Sequence, residues 1–524
     1  MAYAIQNKQN RSLIAGITIA ILVISVARFF LVGKGAMMFP DETRYYNSLK
    51  AAEYLMHGNV QLFFHELSGT YGRPGDALVR LLPALLQEGA FSMFGLNTNN
   101  PDSLIIPVLF NCIIVSISLF LFYRISLLLL ADKTSALVAT LIYGSLVNSN
   151  IYIRHILPYD TALCLMLYLV YYVLKRRREA VINRKDYALV GALSALLIAI
   201  YPGFYMAPFL AFALLIQWDA PLTFVKEKLD CFVAYAIGGS AVLSFFELLS
   251  RAGGKSYLLS SFHLAHTIDQ GSYEEGYSFL FKYLAQVEGI LGVVLIIMFS
   301  IYFVLFVRNL ISYKLKFLAM SSDLDILVFT ALGFFLLHAT ATFFLHKMVF
   351  YGRLTHHFIP FMVIAAVYGV KHLLSNKLGD YAMASVGVLA VVSFAVFFFS
   401  YQKVEYPFDL LYSRYSNNYA GEQFSYFNEI GASPGLKYDM PQPRWATTKS
   451  PASLKQDTTA LVNFAFLFPI RVIPGPNPLL NKRNKVLYSA PHFINFKPYQ
   501  FEGYNIQERE LLQKAQYKYQ IVTE

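Results

Sequence analysis

Residues 12–32 have the sequence SLIAGITIAILVISVARFFLV, in which Arg28 is the single charged side chain. An apolar helix of this length spans a bilayer, because about 20 residues cover the hydrocarbon thickness. The run is longer than the apolar core of a signal peptide, and no small-residue cleavage site follows it. It therefore predicts a retained transmembrane helix, with Arg28 near its outer end and able to reach the interface.

The composition of the whole chain agrees with a membrane protein. Of its 524 residues, 56% are hydrophobic and only 14% are charged, against about 25% charged in an average soluble domain. So little charge could not cover the surface of a soluble enzyme of several domains. It also argues against a disordered or nucleic-acid-binding tail, so no nucleic-acid partner is expected.

Ten further apolar runs predict an all-α polytopic membrane protein with about eleven transmembrane helices. The pair 187–200 and 204–217 shares one tight turn, and counting it as a single span would invert the topology downstream. The predicted spans lie near 12–32, 104–123, 134–152, 159–174, 187–200, 204–217, 231–250, 280–307, 325–344, 357–373 and 381–400.

Lysine and arginine give the predicted orientation. The run Lys175–Arg178 and most cations of the short loops fall on one side, and the positive-inside rule makes that side cytoplasmic, together with the N-terminus. Most of the net charge of +11 is then a topology signal.

We predict a transmembrane domain over 1–400 and a small extracytoplasmic α/β domain over 401–524, with strands at 484–489 and 518–523 and a helix at 507–517. The short cytoplasmic loops favour a bacterial inner membrane, with the endoplasmic reticulum as the alternative.

The first outer loop, 33–103, contains two amphipathic segments. In 41–57 and again in 75–95, apolar residues recur at helical spacing against a polar back. Charges make transmembrane helices unfavourable here, so we expect two interfacial helices on the outer membrane face.

Carboxylates at the outer ends of spans are the first candidate site residues. Asp41 and Glu42 follow the first span, and Asp160 opens the fourth. On the predicted topology all three lie outside at similar depth, which suits acid–base chemistry at the membrane surface. A helix-capping role explains Asp41 and Asp160 equally well from the residues alone.

A basic cluster is the second candidate. Arg73 lies in the first outer loop, and the stretch HKMVFYGRLTHH at 346–357 includes Lys347, Arg353 and His356. Cations on the outer face run against the positive-inside trend, and arginine and lysine bind phosphate well. Snorkelling beside lipid headgroups is the alternative interpretation.

The third candidate is a group of histidines and carboxylates after the seventh span. His263 and His266 precede Asp269, Glu274 and Glu275, which are residue types that zinc accepts. The spacing matches no strong metal motif, so His266 is at most a candidate ligand. The sequence contains no pattern that requires a cofactor, and it leaves open whether a divalent metal is bound. There is no Walker loop, dinucleotide fingerprint or HExxH.

Together these residues resemble the GT-C superfamily of membrane glycosyltransferases, in particular the lipid A aminoarabinose transferase and protein O-mannosyltransferase group. The resemblance covers about residues 1–375, and its most specific part is PDETRY at 40–45. It also includes Arg73-Pro74 before an amphipathic helix ending Met93-Phe94-Gly95, Asp160 at the start of a span, and the 347–357 loop followed by Phe358-Ile359-Pro360.

The resemblance implies a sugar donor carried on a polyprenyl phosphate and an acceptor that is a lipid, a glycan or a protein. Asp41 would act as general base on the acceptor hydroxyl, with Glu42 and Asp160 as further acidic site residues. The lipid phosphate would leave with inversion, held by Arg73, Lys347, Arg353 and His356.

Two departures from the family pattern concern phosphate contacts. The turn at 200–203, Ile-Tyr-Pro-Gly, lacks the lysine common before it in related transferases, and Arg73-Pro74 replaces a common Lys-Pro. The alternatives are an oligosaccharide ligase or polymerase and, from another class, a transporter or lipid-linked glycan flippase. A transporter predicts charges near the bilayer midplane and paired repeats, which the sequence does not show.

Overall fold

The computed structural model describes most of the transmembrane region and several separate parts of the C-terminal region. The described residues are 2–32, 34–36, 39–69, 72–94, 101–179, 182–216, 224–269, 275–312, 322–347, 351–374, 376–406, 423–427, 444–448, 459–462, 485–491, 493–502, 504–514 and 518–523.

The chain is built mainly of helices, as the apolar runs predict. In chain order the α-helices are α1 (Ala2–Phe29), α2 (Arg44–Met56), α3 (Val60–Ser68), α4 (Pro74–Met93), α5 (Ile105–Leu130), α6 (Lys133–Ser145), α7 (Tyr159–Arg178), α8 (Arg184–Ile200), α9 (Ala207–Leu215), α10 (Phe224–Ala252), α11 (Tyr257–Asp269), α12 (Phe279–Val287), α13 (Gly289–Ser312), α14 (Asp323–Phe344), α15 (Ile359–Leu373), α16 (Asn376–Gln402), α17 (Lys497–Gln500) and α18 (Ile506–Lys514).

Within the described residues, six helices are long and apolar enough to cross a membrane. The six segments are Ser12–Phe29, Asp102–Leu130, Leu229–Ala252, Gly289–Ile311, Asp323–Phe344 and Leu378–Gln402. The other predicted spans coincide with α6, α7, α8, α9 and α15, whose length and composition alone do not establish a crossing. The turn between α8 and α9 is a 3-10 helix at Pro202–Phe204, so this pair forms two separate helices.

The outer surfaces of the long helices are apolar, which is why they suit lipid. On α1, the side chains of Ile19 and Val23 are about 60% exposed, and on α16 those of Val396 and Phe399 are similarly open. Large contiguous apolar surfaces are unfavourable in water. The exposed apolar helices are therefore typical of a helical membrane protein.

The outer loop after α1 differs in one respect from the prediction. The two predicted amphipathic segments form α2 and α4, but the chain between them forms a third helix, α3. Asn59 caps α3 by accepting a hydrogen bond from Leu62 N at 3.2 Å. Half-buried Phe63 and buried Leu67 pack α3 against the cluster around Tyr45 and Leu81.

A buried irregular segment, residues 146–158, lies between α6 and α7, and every one of its residues is buried. Its peptide groups must find partners inside the protein, because unpaired polar groups are costly away from water. Glu288 accepts hydrogen bonds from Val147 N and Asn148 N at 2.7 and 2.8 Å. Arg80 donates to the Leu157 carbonyl. The segment is therefore fixed by charged side chains from distant helices.

The described C-terminal strands form one mixed sheet. The strands are β1 (Gln423–Phe427), β2 (Arg444–Thr448), β3 (Thr459–Val462), β4 (Lys485–Pro491) and β5 (Lys518–Thr523), in the order β2-β1-β3-β5-β4. The pairs β1–β2 and β1–β3 are parallel, and β5 is antiparallel to both of its neighbours. The predicted strands coincide with β4 and β5, and the predicted helix coincides with α18.

Residues 493–502 and 504–514 of the C-terminal region contact chain next to the transmembrane helices, and we call them the docking segment. The Tyr499 hydroxyl lies 2.7 Å from His155 Nε2 and 2.6 Å from the Tyr406 hydroxyl. Arg509 forms an ion pair with Glu275. Both contacts join the docking segment to chain predicted to lie on the outer membrane face.

Candidate functional site

Asp41 lies on a 3-10 turn, Pro40–Thr43, soon after the first span and directly before α2. Its side chain is 36% exposed, so a molecule from outside can reach the carboxylate. Asp41 Oδ1 lies 2.8 Å from Arg44 Nη2, one turn further along the chain. The carboxylate is therefore both paired and accessible.

Three guanidinium groups surround this carboxylate. Asp41 interacts electrostatically with Arg44, Arg73 and Arg353, which come from the start of α2, the start of α4 and the loop before α15. We call Asp41 and these three residues the Asp41 cluster. It brings together Asp41, Arg73 and Arg353, which the sequence analysis proposed as site residues.

Several N–H groups of the Asp41 cluster are buried without a partner. They are Nη1 of Arg44, Nε and Nη1 of Arg73, and Nε of Arg353, none of which has a hydrogen-bond acceptor among the described residues. Unpaired buried donors are rare in folded proteins, because each costs about 1–3 kcal/mol. Donors converging from three arginines can bind a phosphate group.

Tyrosine rings orient the arginines. Arg353 Cζ lies 4.9 Å from the centroid of the Tyr159 ring and 4.1 Å from that of Tyr351. Arg73 Cζ lies 5.0 Å from the centroid of the Tyr201 ring. The rings of Tyr159 and Tyr201 pack edge to face at 4.8 Å. Cation–π packing restricts guanidinium groups without using their N–H donors, which leaves those donors for a ligand.

The electrostatics of the Asp41 cluster keep the carboxylate ionised. Burial raises the pKa of Asp41, whereas the three guanidinium groups and a hydrogen bond with Tyr159 lower it. The lowering is larger, so the pKa lies below the ordinary value of 3.8. Asp41 is therefore a carboxylate at neutral pH, the protonation state that a general base needs.

Glu42, which we expected to share the catalytic role, is fully buried. Its Oε1 accepts a hydrogen bond from Ile156 N at 2.6 Å, and its Oε2 accepts one from Phe39 N at 2.8 Å. His155 Nδ1 lies 3.5 Å from Oε2. The carboxylate of Glu42 is thus occupied in holding the turn to the 146–158 segment and does not face the open side of the site.

Asp160 has different charged neighbours from Asp41. Its side chain is buried, and its charged partners are Arg80 and Arg28. The preceding residue, Tyr159, interacts with Asp41 instead. We expected Asp41 and Asp160 to face one outer cavity, but α7 turns Tyr159 toward Asp41. Asp160 makes no capping hydrogen bond, because Pro158 is the N-cap of α7, but it lies in the first turn, where a carboxylate favours the positive end of the helix.

Lys347 and His356, expected to bind phosphate, occupy different environments. Lys347 is exposed just beyond the end of α14 and is not among the charges that act most strongly on Asp41. His356 is fully buried, and its Nε2 lies 3.1 Å from the Asn148 carbonyl oxygen. Burial lowers the pKa of His356 to about 4, so it is neutral at pH 7 and gives no cationic charge to a phosphate.

His266, the candidate metal ligand, is exposed on α11. Glu274, one of its proposed companions, lies outside the described residues. Within the described residues, no group of three histidine, cysteine, aspartate or glutamate side chains could hold a metal ion. The metal hypothesis thus gains no support from this part of the chain.

Three residues near the Asp41 cluster were not predicted as site residues. Arg44 is part of the quoted PDETRY stretch, and its position three residues after Asp41 was a usable signal. Tyr159 is adjacent to a predicted residue. Glu502, which lies 3.8 Å from Arg353, is far away in sequence and carries no local signal.

Comparison with known proteins adds no family assignment. No family model matches the chain, and a search of curated proteins found no significant match. The functional argument therefore depends on the geometry of the site and on the residue-level resemblance described above.

Proposed function

We propose that this protein is an integral membrane glycosyltransferase of the GT-C type. It moves a sugar from a polyprenyl-phosphate donor to a hydroxyl group of a lipid, glycan or protein acceptor. The observation that carries the proposal is an accessible, ionised Asp41 beside three arginines, four of whose buried nitrogens have no hydrogen-bond partner in the described part of the chain. A base next to a phosphate-binding site is what transfer from a lipid phosphate requires.

In the proposed reaction, the Asp41 carboxylate takes the proton of the acceptor hydroxyl as the oxygen attacks the anomeric carbon. The bond between that carbon and the phosphate oxygen breaks, and its electron pair leaves with the lipid phosphate. Attack from the opposite face inverts the anomeric configuration. Negative charge develops on the departing oxygen as the bond breaks. Arg73 and Arg353 stabilise this charge more strongly in the transition state than in the bound donor, which lowers the barrier.

The chemistry needs the site on the extracytoplasmic face, and the ion pairs support the eleven-span topology that puts it there. Arg177 pairs with Asp323 at 2.9 Å and Lys371 with Asp132 at 3.0 Å, and each pair joins loops predicted to be cytoplasmic. The Asp41 cluster and the docking segment lie among loops predicted to be outside. We place the protein in a bacterial inner membrane with its N-terminus in the cytoplasm.

A transporter or flippase would also bind a lipid phosphate, so binding alone does not test the proposal. The test is donor turnover by the purified protein in lipid nanodiscs. A panel of polyprenyl-phosphate hexoses and pentoses, labelled in the sugar, is incubated with membrane lipid, glycan and protein acceptor fractions. The proposal predicts that one donor releases free polyprenyl phosphate and transfers its label to one acceptor fraction.

The outcome that contradicts the proposal is movement of intact donor across the bilayer of proteoliposomes with no transfer of the label. This result would identify the protein as a flippase.

A further inference from the structure

The docking segment contributes one carboxylate to the surroundings of the Asp41 cluster. Glu502 Oε2 lies 3.8 Å from Arg353 Nη1. The side chain of Glu502 is only 2% exposed, and that of Arg353 is 15% exposed. This ion pair is almost fully excluded from solvent, and it joins a loop of the transmembrane domain to the C-terminal region.

Backbone contacts hold Glu502 in place independently of Arg353. Gly352 N donates a hydrogen bond to the Phe501 carbonyl at 2.9 Å, directly beside the ion pair. A Cβ at position 352 would overlap Glu502 Oε1, so the packing here requires glycine. The Tyr499 hydroxyl contacts and the Arg509–Glu275 pair hold the rest of the segment.

The pairing uses one edge of the Arg353 guanidinium and leaves another edge unused. Nη1 faces Glu502, while Nε is buried without a hydrogen-bond partner among the described residues. The Tyr159 and Tyr351 rings restrict the remaining freedom of the group. A guanidinium has five N–H donors in a rigid plane, so fixing one edge also fixes the direction of the others.

We propose that Glu502 is a positioning residue that holds Arg353 in the orientation in which it binds the phosphate of a lipid-linked donor. The docking segment then completes the phosphate site and does more than cover it. This inference rests on the proposed function, because it assigns the anion at the Asp41 cluster to a lipid phosphate.

The proposal is tested by whether Glu502→Gln weakens or strengthens the binding of a lipid phosphate. Farnesyl phosphate, a short polyprenyl monophosphate, is titrated at about pH 8.5, where Glu502 is ionised, into the full-length protein in nanodiscs. Removing a negative charge near an anion site strengthens anion binding if Glu502 acts only through its charge. If Glu502 positions Arg353, Glu502→Gln instead weakens binding by about tenfold, a typical loss for one misplaced charge-assisted contact. Glu510→Gln, the same substitution at an exposed site on α18, is the matched control and leaves binding unchanged.

A double-mutant cycle shows whether the effect passes through Arg353. Glu502→Gln is expected to have no further effect in an Arg353→Gln protein, because the residue that it positions is gone. Tighter or unchanged binding by Glu502→Gln, or full additivity in the cycle, would overturn the proposal. If Glu502→Gln does not fold, Glu502→Asp keeps the charge and withdraws it by one methylene, and it too should bind more weakly. Failure of the wild-type protein to bind farnesyl phosphate would reject the proposed function itself, a result distinct from these.

Discussion

In the described part of the chain, two clusters of arginine and aspartate lie near the predicted outer ends of helices, and they use the same side-chain types differently. In the Asp41 cluster, the carboxylate is partly exposed and four guanidinium nitrogens lack partners among the described residues. In the second cluster, Asp160 is buried between Arg80 and Arg28. Arg80 donates to Asn111 at 2.6 Å and to the Leu157 carbonyl, and lies 3.4 Å from Asp76.

This comparison teaches how to separate a binding site from a structural network when both contain charges. A buried charge network is satisfied by the protein, because each unpaired group would destabilise the fold. A ligand site keeps donors and an accessible acceptor unused, since the ligand satisfies them. In the Asp160 cluster the carboxylate is buried, and Arg28 Nη1 is the one guanidinium nitrogen of Arg28 and Arg80 without a partner among the described residues. By this criterion we propose that the Asp41 cluster, with an accessible carboxylate and four such nitrogens, binds a ligand, whereas the Asp160 cluster chiefly holds the 146–158 segment.

The largest expected difference between the clusters comes from replacing each aspartate. Asp41→Asn removes the base while keeping the shape, so transfer should fall by about 10³-fold with little change in Tm. Asp160→Asn should lower Tm by several degrees and keep transfer per folded molecule within about tenfold of wild type. Donor turnover and thermal unfolding on the same preparations measure both. Loss of transfer by an Asp160→Asn protein of normal Tm would contradict the structural role of Asp160.

Arg80→Gln should have the next largest effect, and on stability alone. It leaves the buried Asp76 carboxylate without its nearest cation and the Leu157 carbonyl without its donor, at a cost of about 3 kcal/mol. Chemical denaturation monitored by tryptophan fluorescence would report this loss. A folded Arg80→Gln protein that has lost farnesyl phosphate binding would show that Arg80 belongs to the ligand site after all.

Arginines of the Asp41 cluster should show the opposite pattern. Arg73→Gln and Arg353→Gln should each lower transfer by about 10²-fold, the usual effect of losing one donor to a developing anion. Arg73 has no fully satisfied network to break, so the Tm of Arg73→Gln should change little. Arg353→Gln leaves the buried Glu502 carboxylate without its cation and should also lower Tm. Lys347→Gln and His356→Asn test the other two expected phosphate ligands and should each reduce transfer less than about threefold. A larger loss for Lys347→Gln would mean that its loop closes over the donor.

The pH dependence of stability sharpens the account of Glu502. Burial raises the pKa of Glu502 from 4.5 to about 7, although Arg353 opposes the shift. Between these values the folded protein binds the proton more tightly than the unfolded chain, so stability falls as pH rises from 4.5 to 7. Glu502→Gln removes this dependence. From pH 5 to pH 8, the free energy of unfolding of the variant should therefore rise by about 2 kcal/mol relative to that of the wild type. An identical pH profile for the two proteins would show that Glu502 does not titrate in this range.

The sequence predicted much of the fold because long apolar runs give strong signals. The six long helices were all expected, and β4 and β5 coincide with the predicted strands. Strands β1, β2 and β3 were missed because four or five residues are too few for an alternating pattern to be distinctive. Helix α3 was missed because its nine residues are too few for a helical period to be distinctive.

The site was only partly predictable, for reasons of geometry. PDETRY identified Asp41, but nothing local showed that Asp41 faces the arginines while Glu42 points to Ile156. The choice between Tyr159 and Asp160 depends on the rotation of α7 about its axis, which is set by packing. Glu502 reaches Arg353 only through the fold of the C-terminal region, so no sequence spacing could have revealed it.

The most direct measurement is an experimental structure of the protein in a nanodisc with farnesyl phosphate bound. Our account predicts phosphate oxygens within about 3.2 Å of guanidinium nitrogens of both Arg73 and Arg353. It also predicts that the Asp41 carboxylate faces the same open space and does not contact the phosphate. A phosphate bound at Arg28 and Arg80, or at Lys347 away from Asp41, would contradict the account.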